Sequence, residues 1–477
     1  MMQYTVTFLP NDRSVTVPAG TTVLQTQILA GLRPDAPCGG KGTCGKCRVL
    51  LEGAEVLACQ TLVDRDMTVQ TEEEENIRIL TTGISVTTQP DGENEYVLAF
   101  DIGTTTVVAY LLDGCSGTLL AQGSTMNPQS QHGADVISRI QYALNENNDA
   151  LSSCIREAMG KLTEEVAEKV GISPDQITVS AIVGNTAMHH LLLDIDPKPL
   201  VTPPYMPGVS EAIEQNGIRI LPNIAGFVGG DTVGCMVATR FDRQEELTLL
   251  IDIGTNGEMV LGNNNRRIAC STAAGPAFEG AKISCGMRGA EGAVDHVWVE
   301  NGKIQYHTIS DAPAKGLCGS GLLDLVAVLL DQETIDESGR LEGKQYELCD
   351  NVTLTQKDIR EVQLAKAAIR AGIELLAEKL GAEVADIRKV YLAGAFGNYM
   401  NPVSACRIGM IPPILQNRII PIGNAAGEGA KLCALNRAEF VYSQRLAKNT
   451  EFLELASLPQ FQDCFVDALG FCEEEDE

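Results

Sequence analysis

The sequence predicts an α/β protein, with a small α+β unit at the N-terminus and a larger two-lobed α/β unit behind it. Three observations carry this. The segment Val97-Leu98-Ala99-Phe100-Asp101-Ile102-Gly103-Thr104 is echoed by Leu249-Leu250-Ile251-Asp252-Ile253-Gly254-Thr255, 151 positions later. Each is an apolar run, then D-I-G-T, then a second apolar run, Val107–Leu112 in one and Met259–Leu261 in the other. A hairpin with a tight glycine turn, used twice, implies a duplicated unit. The first 80 residues are different in kind: short alternating runs surround a loop rich in glycine and cysteine. Finally, 477 residues with 44% apolar and 21% charged side chains supply several packed cores, about three domains at roughly 100–200 residues each.

In residues 1–80, the alternating runs Tyr4–Leu9 and Ser14–Pro18 flank Asn11-Asp12, a hairpin turn pair. Thr21-Thr22 offers an N-cap for a helix through about Leu32. The Gly/Cys loop follows, then strands near Cys47–Leu51 and Met67–Thr71. Residues 72–75 are four glutamates, and Gln89-Pro90-Asp91-Gly92 reads as a turn, so 81–95 is expected to be a linker. The repeat then divides the remainder into a first lobe, 96–245, and a second, 246–465. The acidic stretch 466–477 is expected to be a solvated tail.

Charge narrows the function classes. Lys and Arg total 36 against 63 Asp and Glu, a formal net charge of −27. Such a surface repels phosphate backbones and anionic lipid, so neither nucleic acid nor a membrane is an expected partner. Aromatics are only 5%, with a single Trp, against a base-stacking surface. No run of eighteen apolar residues occurs, and Met1–Val6 has no signal-peptide pattern, so a cytoplasmic location is expected. In that compartment disulfides are rare, and fifteen cysteines is an odd number, which favours metal ligation over a disulfide framework. The five His show no zinc-finger or H-E-x-x-H spacing.

Cys38, Cys44, Cys47 and Cys59 stand in the order C-x5-C-x2-C-x11-C, with Gly39, Gly40, Gly42 and Gly45 among the first three. An iron–sulfur cluster needs four thiolates converging on one point inside a chain that wraps tightly, and glycine permits the wrap. A structural zinc on the same four thiolates is the alternative. Lys41, Lys46 and Arg48 beside the loop are either a docking patch for an acidic electron donor or a solvated rim. The other eleven cysteines form no C-x-x-C pair and are expected to be small buried hydrophobes. A homodimer sharing a second cluster stays open.

The D-I-G-T turns place Asp101 and Asp252 at strand ends, with free N–H groups and hydroxyls in the turns Gly103, Thr104, Thr105, Thr106 and Gly254, Thr255, Asn256. A phosphate–Mg²⁺ unit needs that combination: an anionic oxygen for the metal, usually through water, and donors for phosphate. A third element, Val390–Ala393 followed by Gly394, Ala395, Phe396, Gly397 and Asn398, lets backbone lie against a base or ribose. Before it, Thr355-Gln356-Lys357-Asp358 opens a helix with Ile359, Val362, Ala365 and Ile369 at helical spacing. Three further glycine-rich stretches, around Gly229-Gly230, Gly275–Gly280 and Gly316–Gly321, are cleft loops or structural turns. Asp231 and Glu279 in them are candidate metal-directed or water-orienting carboxylates.

Residues 96–430, in this order of motifs, resemble the ASKHA superfamily of acetate and sugar kinases, Hsp70 and actin, a ribonuclease H-like fold. The cysteine loop and its flanking elements resemble the 2Fe–2S ferredoxin domain, a β-grasp fold. The first and second phosphate loops would be Asp101–Thr106 and Asp252–Gly257, the adenosine loop Gly394–Asn398. The connecting elements would be Val183–His190, with its two His as packing or capping residues, and Pro421–Gly427. A ferredoxin joined to an ASKHA ATPase, with G-N-T-A-M-H-H, A-G-P-A-F-E-G-A and G-L-C-G-S-G-L-L-D, resembles the reductive activators of corrinoid-dependent methyltransferases. That resemblance implies a 2Fe–2S cluster, ATP and Mg²⁺ as cofactors. It also implies a corrinoid protein (protein-bound cobalamin) of a methyltransferase system as acceptor, and an upstream low-potential electron donor. Many relatives carry a separate middle domain between the two parts, where only the linker 81–95 fits here. A small-molecule kinase with a redox-sensing ferredoxin is the alternative reading. An ATP-driven electron injector for a dehydratase lacks the ferredoxin, and so fits the cysteine loop poorly.

Overall fold

The computed structural model describes residues 2–32, 34, 36, 40, 42, 45–71, 79–133, 135–254, 256–350 and 352–471. At the N-terminus β1 (Gln3–Leu9) and β2 (Arg13–Pro18) pair antiparallel around Asn11-Asp12. Val6, Phe8 and Val17 alternate inward and pack with α1 (Val23–Leu29), which Thr22 and Gln25 open as a capping box. The helix ends at Leu29, short of the expected Leu32. β3 (Arg48–Leu51), β4 (Ala54–Leu57) and β5 (Met67–Gln70) complete a sheet in the order β2-β1-β5-β3-β4, with β1 and β5 parallel. This is the expected β-grasp arrangement. β4 was not foreseen, because Ala54-Glu55-Val56-Leu57 is largely exposed and carries no strong apolar alternation.

The first lobe runs β6 (Tyr96–Ile102), β7 (Thr106–Asp113), β8 (Leu119–Met126), α2 (Val136–Tyr142), α3 (Asn148–Val170), β9 (Ile177–Gly184), α4 (Thr186–Leu193), β10 (Ile213–Gln215), β11 (Ile218–Ile220) and α5 (Gly230–Ala238). The second begins with β12 (Thr248–Ile253), β13 (Gly257–Gly262) and β14 (Arg267–Thr272). It adds β15 (Ala293–Glu300), β16 (Lys303–Thr308), β17 (Gly316–Leu317), α6 (Gly319–Asp331), β18 (Gln345–Cys349), β19 (Val352–Thr355) and α7 (Gln356–Leu380). It closes with β20 (Lys389–Ala393), α8 (Gly394–Tyr399), α9 (Pro402–Arg407), β21 (Ile419–Gly423), α10 (Ala425–Leu435), α11 (Arg437–Lys448), β22 (Glu451–Phe452) and α12 (Pro459–Asp467).

The two main sheets repeat one topology. An antiparallel meander, β6-β7-β8 or β12-β13-β14, is extended beyond its first strand by two parallel strands, β9 and β11 or β20 and β21. This is the ribonuclease H-like order, used twice. Alternation sorts each strand's residues onto two faces. Leu98, Phe100 and Ile102 face outward into a core with α2, α3 and α4, while Val97 and Ala99 face inward. In the second sheet Leu249, Ile251 and Ile253 face outward and Leu250 inward.

Helices α5 and α10 fill the space between the inner faces. They touch through glycine: a Cβ on Gly429 would lie 2.1 Å from the Gly234 carbonyl, and one on Gly234 would lie 2.9 Å from that of Ala426. The helix crossing α10 is therefore α5, grown from Gly229-Gly230. The expected partner, Val183–His190, instead forms the end of β9 and α4, which packs on the outer face.

Residues 81–95 are not a loose tether. Ile84 N–H donates to the Ile422 carbonyl at 2.9 Å, Asn424 N–H to Thr82 at 2.9 Å and Asp91 N–H to Leu435 at 3.1 Å. Ile79, Ile84 and Val86 pack on the core between the lobes. The segment is a strap, since its backbone adds to the edge of β21 where its few apolar side chains find cover. The expected tail at 466–477 also begins too early: Phe471 is 5% exposed, and the Lys366 ammonium lies over its ring. The glutamates at 72–75 and 473–475 lie outside the described residues. Among the described residues no helix is long and apolar enough to cross a membrane.

Candidate functional site

Asp101 and Asp252 emerge at the ends of the inner faces of β6 and β12, where the sheets stop beside α5 and α10. Asp231 joins them from the first turn of α5. Glu258 stands opposite Asp252 across the β12–β13 ladder. All four carboxylates are half-buried, reached by water but walled by protein. Burial, then the charges of Asp231 and Asp101, push Asp252 up to about 7. Burial likewise pushes Asp101 and Asp231 up to about 6 each. Glu258 is raised well above the carboxylate range by burial, then by Asp231 and Asp252. Like charges in a poorly solvated cleft resist ionising together, and a divalent cation relieves that conflict. Among the described residues no three carboxylate, His or Cys groups are grouped as ligands of one ion. Carboxylate oxygens in a water-reached cleft are the donor type that suits a partly hydrated Mg²⁺.

The first turn is held from behind. The Gly103 carbonyl accepts from Asn127 Nδ2 at 2.7 Å, the Thr104 carbonyl from Arg139 Nη2 at 2.5 Å and the Thr105 carbonyl from Asn127 N–H at 2.8 Å. Asn185 Nδ2 donates to Thr104 Oγ1 at 2.9 Å. Gly103 N–H closes the loop on the Thr106 carbonyl at 2.8 Å. The second turn is shorter: Gly254 N–H reaches the Asn256 carbonyl at 2.9 Å, and Asn256 hydrogen-bonds Glu258. Thr255 lies outside the described residues. Glu279, on the turn Pro276–Glu279, overhangs this loop, its Oε1 3.7 Å from where a Gly254 Cβ would sit.

Gly394 must be glycine: at φ +81° a Cβ would lie 2.6 Å from Asp252 Oδ1. The stretch Gly394–Asn398 is the start of helix α8 rather than an open turn. Ala395 is exposed, whereas Gly397 is buried against Leu392. Phe396 stacks on Phe278 at 4.6 Å and 12°, so one ring face is already engaged. Asn424 ties the lobes together. Its Nδ2 donates to Asp101 Oδ2 at 2.7 Å and to the Tyr110 hydroxyl at 3.2 Å, while its Oδ1 caps α10 through Gly427 N–H. Of the three glycine-rich stretches, Gly229-Gly230 and Gly275–Gly280 deliver Asp231 and Glu279 to the cleft. Gly319 and Gly321 are packing glycines, where a Cβ would meet the Phe278 and Val294 carbonyls at 2.1 Å.

In the N-terminal unit, Cys47 and Cys59 are 3% and 6% exposed. The Cys47 carbonyl accepts from Ala58 N–H at 2.7 Å, which sets the two cysteines beside the mouth of the β3–β4 hairpin. Gly40 lies against Cys59, whose Cβ is 3.8 Å from where a Gly40 Cβ would sit. The chain two residues beyond Cys38 thus passes Cys59, so the short x11 spacing brings the fourth cysteine to the loop. Gly40, Gly42 and Gly45 have φ of +83°, +74° and +69°, the tight wrap that thiolate convergence requires. Cys38 and Cys44 lie outside the described residues, as does Lys41. The two described cations of the rim are engaged within the chain: Lys46 donates to the Gly286 carbonyl of the second lobe at 2.5 Å, and Arg48 pairs with Glu55 at 2.5 Å.

Residues 6–70 match the 2Fe-2S iron-sulfur cluster binding domain, 96–244 the RACo middle region, and 246–477 the C-terminal domain of RACo, the ASKHA domain. The corrinoid activation enzyme RamQ of Eubacterium limosum is 36% identical over 422 residues, 79% of this chain and 71% of that protein. The chain belongs to the RACo family. Within that likeness stands the [Co(II) methylated amine-specific corrinoid protein] reductase of Methanosarcina barkeri, 30% identical over 53% of this chain and about half (51%) of its own length. A solved structure, a reductive activator for corrinoid,iron-sulfur protein, superposes with TM-score 0.70 at 29% identity over 98% of both chains. The RACo middle region, expected to be missing, is present as residues 96–244. These are the residues of the first lobe, so the middle region coincides with that lobe and needs no separate segment between linker and lobes.

Relative to that RACo frame, sequence reasoning missed Asn127, Arg139, Asn185, Glu258 and Asn424. Glu258 was visible in principle, because it follows D-I-G-T-N-G directly. Arg139 was hidden on an apolar helical face between Val136 and Ile140. His190 is a packing residue as expected: its Nδ1 donates to the Thr186 carbonyl at 2.7 Å and its Nε2 accepts from Gly208 N–H at 2.8 Å.

Proposed function

We propose that this chain is an ATP-dependent reductive activator that returns the Co(II) corrinoid of a methyltransferase-system protein to Co(I). The electron enters through a 2Fe–2S cluster on Cys38, Cys44, Cys47 and Cys59, and ATP with Mg²⁺ binds between the lobes. The reading rests on one observation above all: a wrapped cysteine loop and a duplicated nucleotide-type cleft share one chain that belongs to the RACo family. The cluster supplies a one-electron carrier, and Mg²⁺-ATP supplies binding energy that a lobe movement can use. The Co(II)/Co(I) couple lies low, and each ~59 mV uphill costs a factor of ten for one electron. Bias of that kind requires a ligand that binds one lobe arrangement better than another.

The protein's own groups have distinct parts. Asp101 and Asp252 would hold Mg²⁺ from opposite lobes, with Asp231 and Glu258 beside them as further carboxylates that the cation's charge would help to ionise. Gly103 and Gly254 close the two turns through their own N–H groups, and the remaining N–H and hydroxyl groups of Gly103–Thr106 and Gly254–Asn256 would be the donors to phosphate, with Glu279 orienting water above the second turn. Gly394, Ala395, Phe396 and Gly397 flank the adenosine. Asn424 connects Asp101 to α10, so closure on a nucleotide is felt by the helix pair. The units are 1–80, 96–245 and 246–465, with the corrinoid protein docking on the ATPase half.

The test is direct. Reduced protein, ATP and a Co(II) corrinoid protein should yield the Co(I) absorption spectrum. Neither a Cys59→Ala protein, which should fall below two irons per chain, nor ATP-free protein should do so. The corrinoid partner should also raise ATP turnover. Reduction at the same rate and extent without ATP, or a small molecule carrying the γ-phosphate, would favour the redox-sensing kinase.

A further inference from the structure

Arg139 is 0% exposed, the largest fully buried side chain of the described residues. A buried guanidinium is costly without an anion, yet its hydrogen-bond partners are neutral. Nε donates to the Gly133 carbonyl at 2.8 Å, Nη2 to the Thr104 carbonyl at 2.5 Å, and Nη1 approaches Met188 Sδ at 3.5 Å. Asp135, the N-cap of α2, caps it through Ser138 N–H at 2.7 Å and is the foremost charge favouring the Arg139 cation, with Cys154 and then Glu279 of the second lobe after it, while Arg288 opposes it. Burial pulls Arg139 down to about 10, so it remains a cation at neutral pH.

That cation stands behind the first phosphate turn. Asn127 and Arg139 between them capture the carbonyls of Gly103, Thr104 and Thr105. In a trans peptide the N–H points opposite to the C=O. Holding the Gly103 and Thr104 carbonyls therefore aims the Thr104 and Thr105 N–H groups the other way, as successive donors that cradle an anion. The guanidinium also places positive potential directly behind those peptides. Lysine would not replace it, because one ammonium cannot repeat the fixed fork that spans Gly133 and Thr104.

We propose that Arg139 is a positioning residue for the terminal phosphates of the nucleotide, acting through the Thr104 carbonyl. The inference rests on nucleotide binding in the cleft. A purely structural cation would lower stability and leave phosphate recognition alone. Calorimetric titration of the full chain with AMP and with a non-hydrolysable ATP analogue, both with Mg²⁺, separates the two. In Arg139→Lys and Arg139→Gln the analogue should bind at least tenfold more weakly while AMP affinity stays within twofold, and added guanidinium should restore part of the ATP turnover of Arg139→Gln. Equal change for AMP and the analogue, no change for either, or failure of both variants to fold would assign Arg139 to structure alone. If the wild-type chain binds neither ligand, the nucleotide cleft itself is refuted rather than Arg139's part in it.

Discussion

The two D-I-G-T turns look interchangeable in sequence, yet they differ by one residue of loop, and that residue changes the chemistry. Ile102 pairs with Val107 around four loop residues, whereas Ile253 pairs with Gly257 around three. Residues paired across an antiparallel ladder share a face. Asp101 consequently faces Val108, an apolar residue 1% exposed, and Asp252 faces Glu258. The longer turn is braced from behind by Asn127, Arg139 and Asn185 and presents donors. The shorter one concentrates carboxylates and presents charge. On the proposed reading, the longer turn is the better braced of two phosphate loops, and the shorter one sets a second carboxylate, Glu258, beside its aspartate.

The largest effect should come from the metal side. Asp252→Ala should lower ATP turnover by about 10²–10³-fold, the scale of losing one preorganised electrostatic group, with circular dichroism and melting retained. Asp101→Ala should cost less, because no second carboxylate faces it. Wild-type turnover in both variants would break the assignment of the cleft. Glu258→Gln comes next. The Mg²⁺ concentration for half-maximal ATP turnover should rise about tenfold, as for groups that support a metal from its outer shell. Unchanged Mg²⁺ dependence would leave the one-residue difference without a catalytic meaning.

The pH dependence follows in size. Asp252 is pushed up to about 7 and Asp101 and Asp231 to about 6, against about 3.9 in an unfolded chain. The native state therefore keeps protons that the unfolded state has already lost, and stability falls as pH rises through 6–7. Without nucleotide or metal, the melting temperature should be lower at pH 8 than at pH 6. The gap should narrow with Mg²⁺ and in Asp252→Asn. A gap that Asp252→Asn leaves unaltered would show that other groups govern it. The smallest effect separates the braces. Asn127→Ala leaves the Gly103 carbonyl without its side-chain partner and should cost about 1–3 kcal/mol in urea unfolding. Asn256→Ala should stay within about 0.5 kcal/mol, its mark appearing in Mg²⁺ dependence instead. Equal losses would mean that both turns are braced alike.

What the sequence made legible was local. Thr355 and Asp358 open α7 as a capping box, and Ile359, Val362, Ala365 and Ile369 are each 0% exposed, as helical spacing required. The paired hairpins were readable because glycine turns between apolar runs leave few other solutions. Hidden features depended on distant partners. Thr81-Thr82-Gly83 looks like linker until β21 is beside it, and Gly234 looks like helix filler until Gly429 crosses it. Arg139 breaks the rule that helical stripes facing a core are apolar, and only its carbonyl partners explain why. Gly394–Asn398 read as a turn because glycine is a poor helix former, and the approach of Asp252 Oδ1 that requires glycine at 394 shows only in three dimensions.

The strap also fixes a timetable. Gly83 N–H bonds to Glu428, 345 residues further along, and Thr88 to Glu439, 351 residues further along. At the ribosome's pace of about 5–20 residues per second, that separation is roughly 20–70 s. The N-terminal sheet, whose strands all lie within residues 3–70, is complete long before those partners exist. Synthesis therefore builds the N-terminal sheet first and completes the strap's anchorage on α10 and α11 only when almost the last helix has emerged. A chain stalled or cut before α10 would own a finished N-terminal sheet whose strap lacks its partners Glu428 and Glu439.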